Sequence, residues 1–198
     1  MTYLKKISRV LEEMHSGSTH SFFSSDCSMY MFGPHTISAG QVFFKTKYSL
    51  GLVNLKPILP GHVLVISRRN VPRFLDLSPE EVSDMFQSAQ RIGHIIEKEY
   101  GGSSLTIACQ DGPHAGQTVP HCHVHVIPRR LGDYVNNDDI YTDITNNTAE
   151  LLTKDVPTAT AATVVLHKGV DNEDRRPRTE EEMAQEATRL ELLMGQAQ

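Results

Sequence analysis

The alternation of apolar and polar residues after position 40 predicts a series of short β-strands. Five segments are rich in Val, Phe, Leu and Ile and are broken by polar or Pro/Gly positions: QVFFKT, YSLGLVN, HVLVIS, SLTIACQ and HCHVHVIP. Tight connections with only one long intervening helix indicate antiparallel pairing, because parallel strands need a crossover between each pair. The pattern therefore predicts an α+β fold built on a five-stranded antiparallel sheet.

One long helix is predicted between the third and fourth strands. Ser78 is a candidate N-cap, Pro79 stands at the first helical position and Glu81 completes a capping box. The apolar residues fall on one stripe, which should bury against the sheet: Val82, Met85, Phe86, Ala89, Ile92 and Ile96. Gly101 and Gly102 should end the helix.

A second amphipathic helix is predicted near the C-terminus, with Thr179 and Glu182 as its capping pair. Its apolar stripe is Met183, Ala187, Leu190 and Met194. The segment before this helix has little periodicity, which favours a mobile loop or linker. The predicted organisation is an N-terminal extension (1–28), a folded domain (29–141), a mobile loop or linker (142–178) and a C-terminal helix (179–195).

Composition narrows the class of protein. A chain of 198 residues with 39% hydrophobic content is enough for one ordinary core. The net charge of −5 argues against a binder of nucleic acid polymers or membrane surfaces, because both usually require a basic face. No apolar run approaches the roughly 20 residues of a membrane helix. Cys27, Cys109 and Cys122 lack a paired metal spacing and fit a reducing compartment. We expect a cytoplasmic protein; a nuclear location, or organelle targeting by the N-terminal extension, stays open.

The stretch HCHVHVIP carries the strongest chemical signal, with three of the ten histidines at every second position: His121, His123 and His125. On a strand these side chains share one face, while Cys122 and Val124 share the other. The apolar face should pack in the core, and the imidazole face should be accessible.

Three interpretations compete for these histidines. Simple packing is disfavoured, because three adjacent rings leave many donors and acceptors to satisfy. A zinc or iron site suits His-x-His with a further ligand such as His62, but three alternate strand positions span about 13 Å, too far to converge on one ion. Nucleophilic catalysis at phosphorus suits a neutral imidazole, with His123 as nucleophile and its neighbours donating to phosphate oxygens or the leaving group.

The loop QDGPHAGQTVP leads directly into the histidines and supports phosphate chemistry. Gly112 and Gly116 permit close backbone approach and unusual φ angles. The amides that would cradle a phosphate here are those of Gly116, Gln117, Thr118 and Val119.

These residues together resemble a known family. HCHVHVIP resembles the His-x-His-x-His motif of the histidine-triad superfamily. LVNLKPILPGHVLVISRR, QDGPHAGQTVPH, RRLGDYVNNDDIY and RPRTEEEMAQEATRL resemble its fragile-histidine-triad branch, the bis(5′-adenosyl)-triphosphatases. The resemblance covers about Phe32 to Tyr141 plus the final helix. It implies a homodimer that hydrolyses diadenosine triphosphate and related dinucleoside polyphosphates to AMP plus ADP through an adenylyl-histidine, with Mg²⁺ or Mn²⁺ carried on the polyphosphate rather than in a protein metal site.

The resemblance also implies roles for single residues. His123 matches the nucleophile, His121 and His62 match histidines that orient it, and His125 matches a catalytic histidine that also contacts phosphate. The remaining substrate-contacting positions are His35, Asn54, Gln110, Gly116, Gln117, Thr118 and Val119. Two alternatives stay open from the sequence: a histidine-triad hydrolase of nucleoside phosphoramidates or adenylyl sulfate, and a nucleotide-binding signalling module with slow turnover.

Overall fold

The computed structural model describes residues 29–149 and 177–196, and within them it contains seven strands and three α-helices. The strands are β1 (Tyr30–Phe32), β2 (His35–Ile37), β3 (Val42–Lys45), β4 (Ser49–Val53), β5 (Val63–Ser67), β6 (Ser104–Ala108) and β7 (His123–Arg129). The helices are α1 (Pro79–Glu99), α2 (Asp139–Ala149) and α3 (Glu180–Gln196). The predicted N-terminal extension and residues 150–176 of the predicted linker lie outside the described residues.

The main sheet has the order β3-β4-β5-β7-β6, and every neighbouring pair is antiparallel. The predicted α+β fold with a five-stranded antiparallel sheet is therefore confirmed. The last strand begins at His123, two residues later than its pattern indicates. The reason is local: the amide of Cys122 donates to the carbonyl of Val71, and the amide of His121 donates to that of Val119.

A small hairpin of β1 and β2 was not predicted. Its turn is made by Gly33, whose φ of 59° is the left-handed conformation that glycine adopts without strain. Phe32 lies opposite His35 in this hairpin. Three-residue strands have too few positions for an alternation to be read, so the sequence gives only a weak signal here.

Helix α1 begins as predicted, with Ser78 and Glu81 forming both bonds of the capping box. Met85, Ile92 and Ile96 are fully buried against the sheet. Phe86 is 43% exposed, so its predicted burial is wrong. It lies at the edge of the stripe, where its ring meets Phe74 edge to face.

Helix α3 carries the predicted capping pair, since Thr179 and Glu182 bond each other's backbone amides. All four stripe residues are buried: Met183, Ala187, Leu190 and Met194. They join the core cluster that also contains residues of α1 and the apolar face of β7. The predicted C-terminal helix is confirmed.

The prediction of a loop from residue 142 onward is wrong for residues 142–149, which belong to α2. Ile140 and Ile144, one helical turn apart, are buried with Ile58 and Ile127 in a separate small cluster. Two apolar positions are too few to produce a readable helical period, and burial against the sheet supplies the stability that the sequence pattern does not reveal. Among the described helices, none is long and apolar enough to cross a membrane.

Candidate active site

Strand β7 lies inside the sheet, with β5 on one side and β6 on the other. His125 is opposite Leu64 of β5 and Ala108 of β6, and His123 is opposite Ile66 of β5. Every residue of the strand is buried. Its side chains alternate as predicted, because Val124 joins the core cluster beneath α1, while the histidines belong to the opposite face.

The histidine face is covered, contrary to the prediction of an accessible face. His121, His123 and His125 are only 0%, 3% and 4% exposed. Phe32 of the hairpin covers two of them: its ring centroid lies 5.2 Å from that of His123, edge to face, and 5.6 Å from that of His121. A hairpin that the sequence pattern did not reveal therefore accounts for part of the difference.

His121 is bonded to the backbone through both ring nitrogens. Its Nδ1 accepts a hydrogen bond from the amide of Gly33 at 3.0 Å, and its Nε2–H donates to the carbonyl of Ser67 at 2.7 Å. No lone pair of this ring is left for a metal ion or a substrate. His121 thus fixes the hairpin onto the sheet and holds its own backbone in place before His123.

His123 has the tautomer that a nucleophile requires. Its Nδ1 lies 2.7 Å from the carbonyl oxygen of His121, and a carbonyl can only accept, so Nδ1 carries the proton and Nε2 carries the lone pair. Burial lowers the pKa of His123 to about 4. The ring is therefore neutral at pH 7. The bond to the carbonyl also stabilises the positive charge that develops when Nε2 attacks an electrophile.

His62 and His125 form a relay with a defined direction. The amide of Ile58 donates to Nδ1 of His62 at 3.2 Å, which leaves the proton of His62 on Nε2. This Nε2–H then donates to Nδ1 of His125 at 2.9 Å. His125 must carry its own proton on Nε2, beside the ring of His123, whose centroid is 5.0 Å away. Burial and the neighbouring His123 and His62 hold the pKa of His125 well below its ordinary value.

Asn54 follows β4 and supports the relay from outside. Its side-chain oxygen accepts from the amide of Lys56 at 3.0 Å, which assigns the other end of the carboxamide as nitrogen. That nitrogen lies 3.5 Å from Nδ1 of His62, the ring nitrogen that accepts, and 3.2 Å from Nε2. The residue is 8% exposed. The structure therefore brings Asn54, a predicted substrate-contacting position, into direct contact with His62.

The predicted phosphate loop is only partly a cradle. Gly112 and Gly116 adopt positive φ angles of 97° and 90°, as a sharply turning loop requires. The amides of Gly116 and Gln117 donate to carbonyls within the loop, those of Pro113 and Gly112. This differs from the predicted set of four free amides. Thr118 keeps a free hydroxyl oxygen, which is buried without a hydrogen-bond partner.

The side chain of Gln117 holds the loop together in this structure. Its oxygen accepts from the amide of Gly112 at 2.8 Å, and its nitrogen donates to the carbonyls of Pro72 and His121. The carbonyl of His121 is also the one that orients His123. The predicted contact of Gln117 with phosphate therefore competes with a structural role that the sequence did not indicate.

The other predicted contact residues lie around the loop and the hairpin. The carboxamide of Gln110 packs against Gly116, where an added Cβ would lie 2.5 Å from its nitrogen, so a larger residue at 116 is excluded by contact as well as by φ. Val119 is buried beneath Gly33. His35 is exposed and lies beside Phe32 in the hairpin.

Unpartnered polar atoms concentrate on the predicted site. In the described part of the chain, buried side-chain atoms without a hydrogen-bond partner occur at Ser49, Gln110, Thr118 and His125. Buried polar atoms are normally paired, because an unpaired one costs roughly 1–3 kcal/mol. All but Ser49 are predicted substrate contacts. Donors and acceptors left open in this way indicate a place where a polar ligand completes the bonding.

Sequence reasoning missed the residues that anchor the loop from the side. Arg73 forms a two-pronged ion pair with Asp111, at 3.0 and 2.9 Å, and Asp111 also accepts from the amide of Phe74. The Arg73 guanidinium holds the pKa of Asp111 below its usual range. The sequence contains no local signal for this pair, since 38 positions separate its members.

The thiols of Cys109 and Cys122 flank the loop and are both free. They share a hydrogen bond, and this bond and burial raise the pKa of Cys122, so its thiol stays neutral. Cys122 belongs to the core cluster, as its apolar-face position predicts. In residues 29–149 and 177–196, no group of three or more His, Cys, Asp or Glu side chains is arranged to hold a metal ion.

Comparison with known proteins yields concordant relatives. The family profile of the HIT domain matches residues 36–132. The bifunctional bis(5′-adenosyl)-triphosphatase/adenylylsulfatase of Arabidopsis thaliana is 46% identical over 170 residues, covering 86% of this chain and 87% of the relative. The asymmetrical bis(5′-nucleosyl)-tetraphosphatase of Schizosaccharomyces pombe is 44% identical over 168 residues, covering 80% and 91%.

A solved structure agrees with these sequence relatives. The diadenosine triphosphate hydrolase of Plasmodium falciparum, determined in complex with cyclomarin A, superposes with a TM-score of 0.53 at 32% identity. The match covers 75% of this chain and 98% of that one. The histidine strand, the glycine loop and the identity to these relatives agree. The chain therefore belongs to the histidine-triad family and, within it, to the fragile-histidine-triad branch.

Proposed function

We propose that the protein hydrolyses diadenosine triphosphate to AMP plus ADP, and related dinucleoside polyphosphates to AMP plus the remaining nucleotide, through an adenylyl group carried transiently on Nε2 of His123. The names of the relatives support this substrate class, since they include a bis(5′-adenosyl)-triphosphatase and a diadenosine triphosphate hydrolase. The observation that carries the mechanism is the hydrogen bond from Nδ1 of His123 to the carbonyl of His121, because it leaves a lone pair on Nε2.

The first half-reaction forms a nitrogen–phosphorus bond. Nε2 of His123 attacks the α-phosphorus, and the bond from phosphorus to the bridging oxygen of the departing ADP breaks. The Nε2–H of His125, which has no hydrogen-bond partner among the described residues, donates to an oxygen on which negative charge collects. The free hydroxyl of Thr118 supplies a further polar contact for the phosphate oxygens.

The second half-reaction returns the enzyme to its starting state. Water attacks the same phosphorus, the nitrogen–phosphorus bond breaks and AMP leaves. The net change is one substrate plus one water to AMP plus ADP, with neither oxidation nor reduction. Throughout, the carbonyl of His121 stays bonded to Nδ1 of His123 and stabilises the ring while it carries positive charge.

Access to the nucleophile requires movement of the cover. His123 is 3% exposed and its ring is in edge-to-face contact with Phe32. We expect substrate to displace this side chain, whose phenyl ring can then stack against an aromatic base of the nucleotide. Phe32→Ala should therefore change KM for the nucleotide more than it changes turnover at saturation.

The experiment that tests the proposal is mass spectrometry of protein quenched during turnover. An adenylyl adduct located on the peptide that contains His123, and absent from His123→Asn, is the expected result. Hydrolysis with no adduct on that peptide, or an adduct on another histidine, would overturn the covalent role of His123.

A second substrate has specific support. The name of the Arabidopsis relative includes adenylylsulfatase activity. Adenylyl sulfate offers the same α-phosphorus with sulfate as the leaving group, so the same attack by His123 applies. Comparison of kcat/KM for diadenosine triphosphate, diadenosine tetraphosphate and adenylyl sulfate will rank them. We propose the triphosphate as the preferred substrate, and a higher value for either of the others would reject that preference.

We further propose that Mg²⁺ or Mn²⁺ arrives on the polyphosphate. Mg²⁺ is commonly bound through substrate phosphates, and the described residues contain no cluster of side chains arranged for a metal ion. Dialysis against a chelator should leave the fold intact and lower turnover, and added Mg²⁺ should restore it. Stoichiometric metal retained through this dialysis would contradict the proposal.

A homodimer is the proposed assembly. Strand β6 lies at one edge of the sheet, and Ile107 on it is 46% exposed. An open edge with an exposed apolar residue is a template for pairing with a second chain. Sedimentation velocity should show a dimer, and Ile107→Lys should shift it toward monomer. A wild-type protein that stays monomeric at all accessible concentrations would reject this assembly.

A further inference from the structure

Arg178 joins the C-terminal segment to the end of strand β4. Its backbone amide donates to the carbonyl of Leu55 at 3.0 Å. Its guanidinium Nε donates to the carbonyl of Asn54 at 2.9 Å, and one terminal nitrogen donates to the same oxygen. The guanidinium bonds join residues 124 positions apart in the sequence. Two consecutive carbonyls of the turn after β4 are thus held by one residue.

Glu186 of α3 fixes the guanidinium from the other side. One carboxylate oxygen accepts from Arg178, and the other accepts from the hydroxyl of Tyr100. The side chains of Arg178 and Glu186 are only 18% and 11% exposed. An ion pair shielded from water and tied at both ends holds its geometry better than a surface pair does.

The segment held by Arg178 is the one that supports the histidine relay. The side chain of Asn54 contacts His62, which donates to His125. The amide of Ile58, in the same turn, donates to Nδ1 of His62 and so determines its tautomer. A shift of this turn would therefore change both the position of His62 and the hydrogen bond that keeps its proton on Nε2.

We propose that Arg178 is a positioning residue for the His62–His125 relay, acting through the turn that begins at Asn54, with Glu186 holding its guanidinium in place. The C-terminal segment, which lies outside the matched HIT domain of residues 36–132, is then part of the catalytic apparatus. This inference rests on the proposed hydrolysis, in which His125 donates to the developing charge.

The chain offers a matched control in Arg189. Its guanidinium pairs with Glu99 at 3.4 Å and donates to the hydroxyl of Tyr100 at 2.7 Å. It therefore joins α3 to the end of α1, as Arg178 joins α3 to the β4 turn, and within the described residues it bonds neither Asn54 nor Leu55. Arg189→Met tests what the loss of an anchoring arginine of α3 does by itself.

The experiment compares Arg178→Met, Arg178→Lys and Arg189→Met in the full chain. We expect Arg178→Met to lower kcat for diadenosine triphosphate by about tenfold with KM within about twofold, the effect typical of residues that orient catalytic groups. Arg178→Lys retains a donor for the carbonyl of Asn54 and should recover most of the loss. Arg189 reaches Glu186 only through the hydroxyl of Tyr100, so Arg189→Met should lower kcat much less than Arg178→Met does. Equal effects of the two Met variants on kcat, or none from a folded Arg178→Met, would overturn the inference.

A spectroscopic readout separates positioning from general destabilisation. Long-range ¹⁵N–¹H NMR spectra report which nitrogen of each imidazole carries its proton. The tautomer signals of His62 and His125 should shift or broaden in Arg178→Met and change much less in Arg189→Met. Should Arg178→Met fail to fold, Glu186→Gln weakens the hold on the same guanidinium and should give the same shifts in smaller degree; unchanged signals in that variant would reject the proposal.

Measurements on wild-type protein test the proposed function, and measurements on Arg178→Met test the positioning role separately. If wild-type protein forms no adenylyl adduct on His123 and does not hydrolyse the dinucleotide, the proposed function is wrong. If wild-type protein is active and forms the adduct while Arg178→Met matches it in kcat and in tautomer signals, only the positioning role is wrong.

Discussion

The two ends of the histidine motif differ in how completely their rings are bonded. At the N-terminal end, His121 uses one nitrogen to accept from Gly33 and the other to donate to Ser67. At the C-terminal end, Nδ1 of His125 accepts from His62, and within residues 29–149 and 177–196 nothing receives the proton on its Nε2. Two residues of identical type and equal burial thus have opposite consequences. An imidazole with both nitrogens hydrogen-bonded stabilises the fold. An imidazole with one unpartnered N–H destabilises it until a ligand accepts that hydrogen bond.

The largest effect is expected from His123→Asn, which lies between these two ends. The change removes the atom that bonds phosphorus, so kcat should fall on the order of 10⁴-fold while substrate binding is retained. Steady-state kinetics and equilibrium binding of the intact dinucleotide will measure the two quantities. Turnover within tenfold of wild type would show that the ring is not the nucleophile.

His125→Asn tests the incomplete end. The Asn oxygen can still accept from His62, but the donor at Nε2 is lost, so kcat should fall roughly 10²-fold or more. Stability should change little, because the deleted donor bonds no other group in the part of the chain that the structure describes. Thermal unfolding together with kcat provides the check, and a large loss of stability with unchanged kcat would reverse the interpretation.

His121→Asn tests the completed end and should give the opposite result. An Asn oxygen can accept from the amide of Gly33, but the bond to the buried carbonyl of Ser67 is lost, at about 1–3 kcal/mol in the free energy of unfolding. Denaturant titration of this variant beside His125→Asn measures the contrast directly. Equal destabilisation by both changes would abolish the distinction between the two ends.

The pH dependence of activity tests the buried state of His123, and near neutrality its effect on activity should be the smallest of those considered. Because burial lowers the pKa of His123 to about 4, its lone pair persists as the pH falls below the ordinary histidine pKa of about 6.5. The acidic limb of kcat/KM in the free enzyme should therefore lie well below pH 6.5. A limb centred near that value would place His123 in a solvated environment.

Stability should respond to acid in the direction that linkage requires. The pKa values of His121, His123 and His125 are all lowered by burial. As the pH falls from about 6.5 toward 4, the unfolded chain takes up protons that the folded chain excludes, so the free energy of unfolding decreases. Above pH 6.5 these rings are neutral in both states and make no pH-dependent contribution.

The sequence predicted the parts of the fold that rest on long apolar patterns and local caps. The five main strands, the capping box of Ser78 and the stripe of α3 all follow from spacing within one element. The β1–β2 hairpin and α2 did not follow, because each has only two or three apolar positions and is stabilised by contact with distant residues. Ile140, for example, is buried against Ile127 and Ile58, and no window of neighbouring residues contains that information.

For the site, the motif identified the histidines but not which of their ring nitrogens are hydrogen-bonded. Spacing and resemblance pointed to His62, His121, His123 and His125, and the structure brings them together. Which ring is saturated depends on Gly33, Ser67 and Ile58, whose backbone groups carry no sequence signal. Likewise, the cover by Phe32 and the structural use of Gln117 depend on tertiary contacts. The assigned roles of His35, Asn54 and Gln110 toward substrate stay predictions.

The bond between Arg178 and Asn54 has a consequence for how the protein folds. It closes a loop of 124 residues. The conformational entropy lost on closing a loop grows with its length, so this contact costs more to form than a contact between neighbouring residues. A ribosome-bound chain cannot form it until Arg178 has emerged. We expect the fluorescence change on refolding to finish before enzymatic activity returns. During that interval the protein should be compact but inactive.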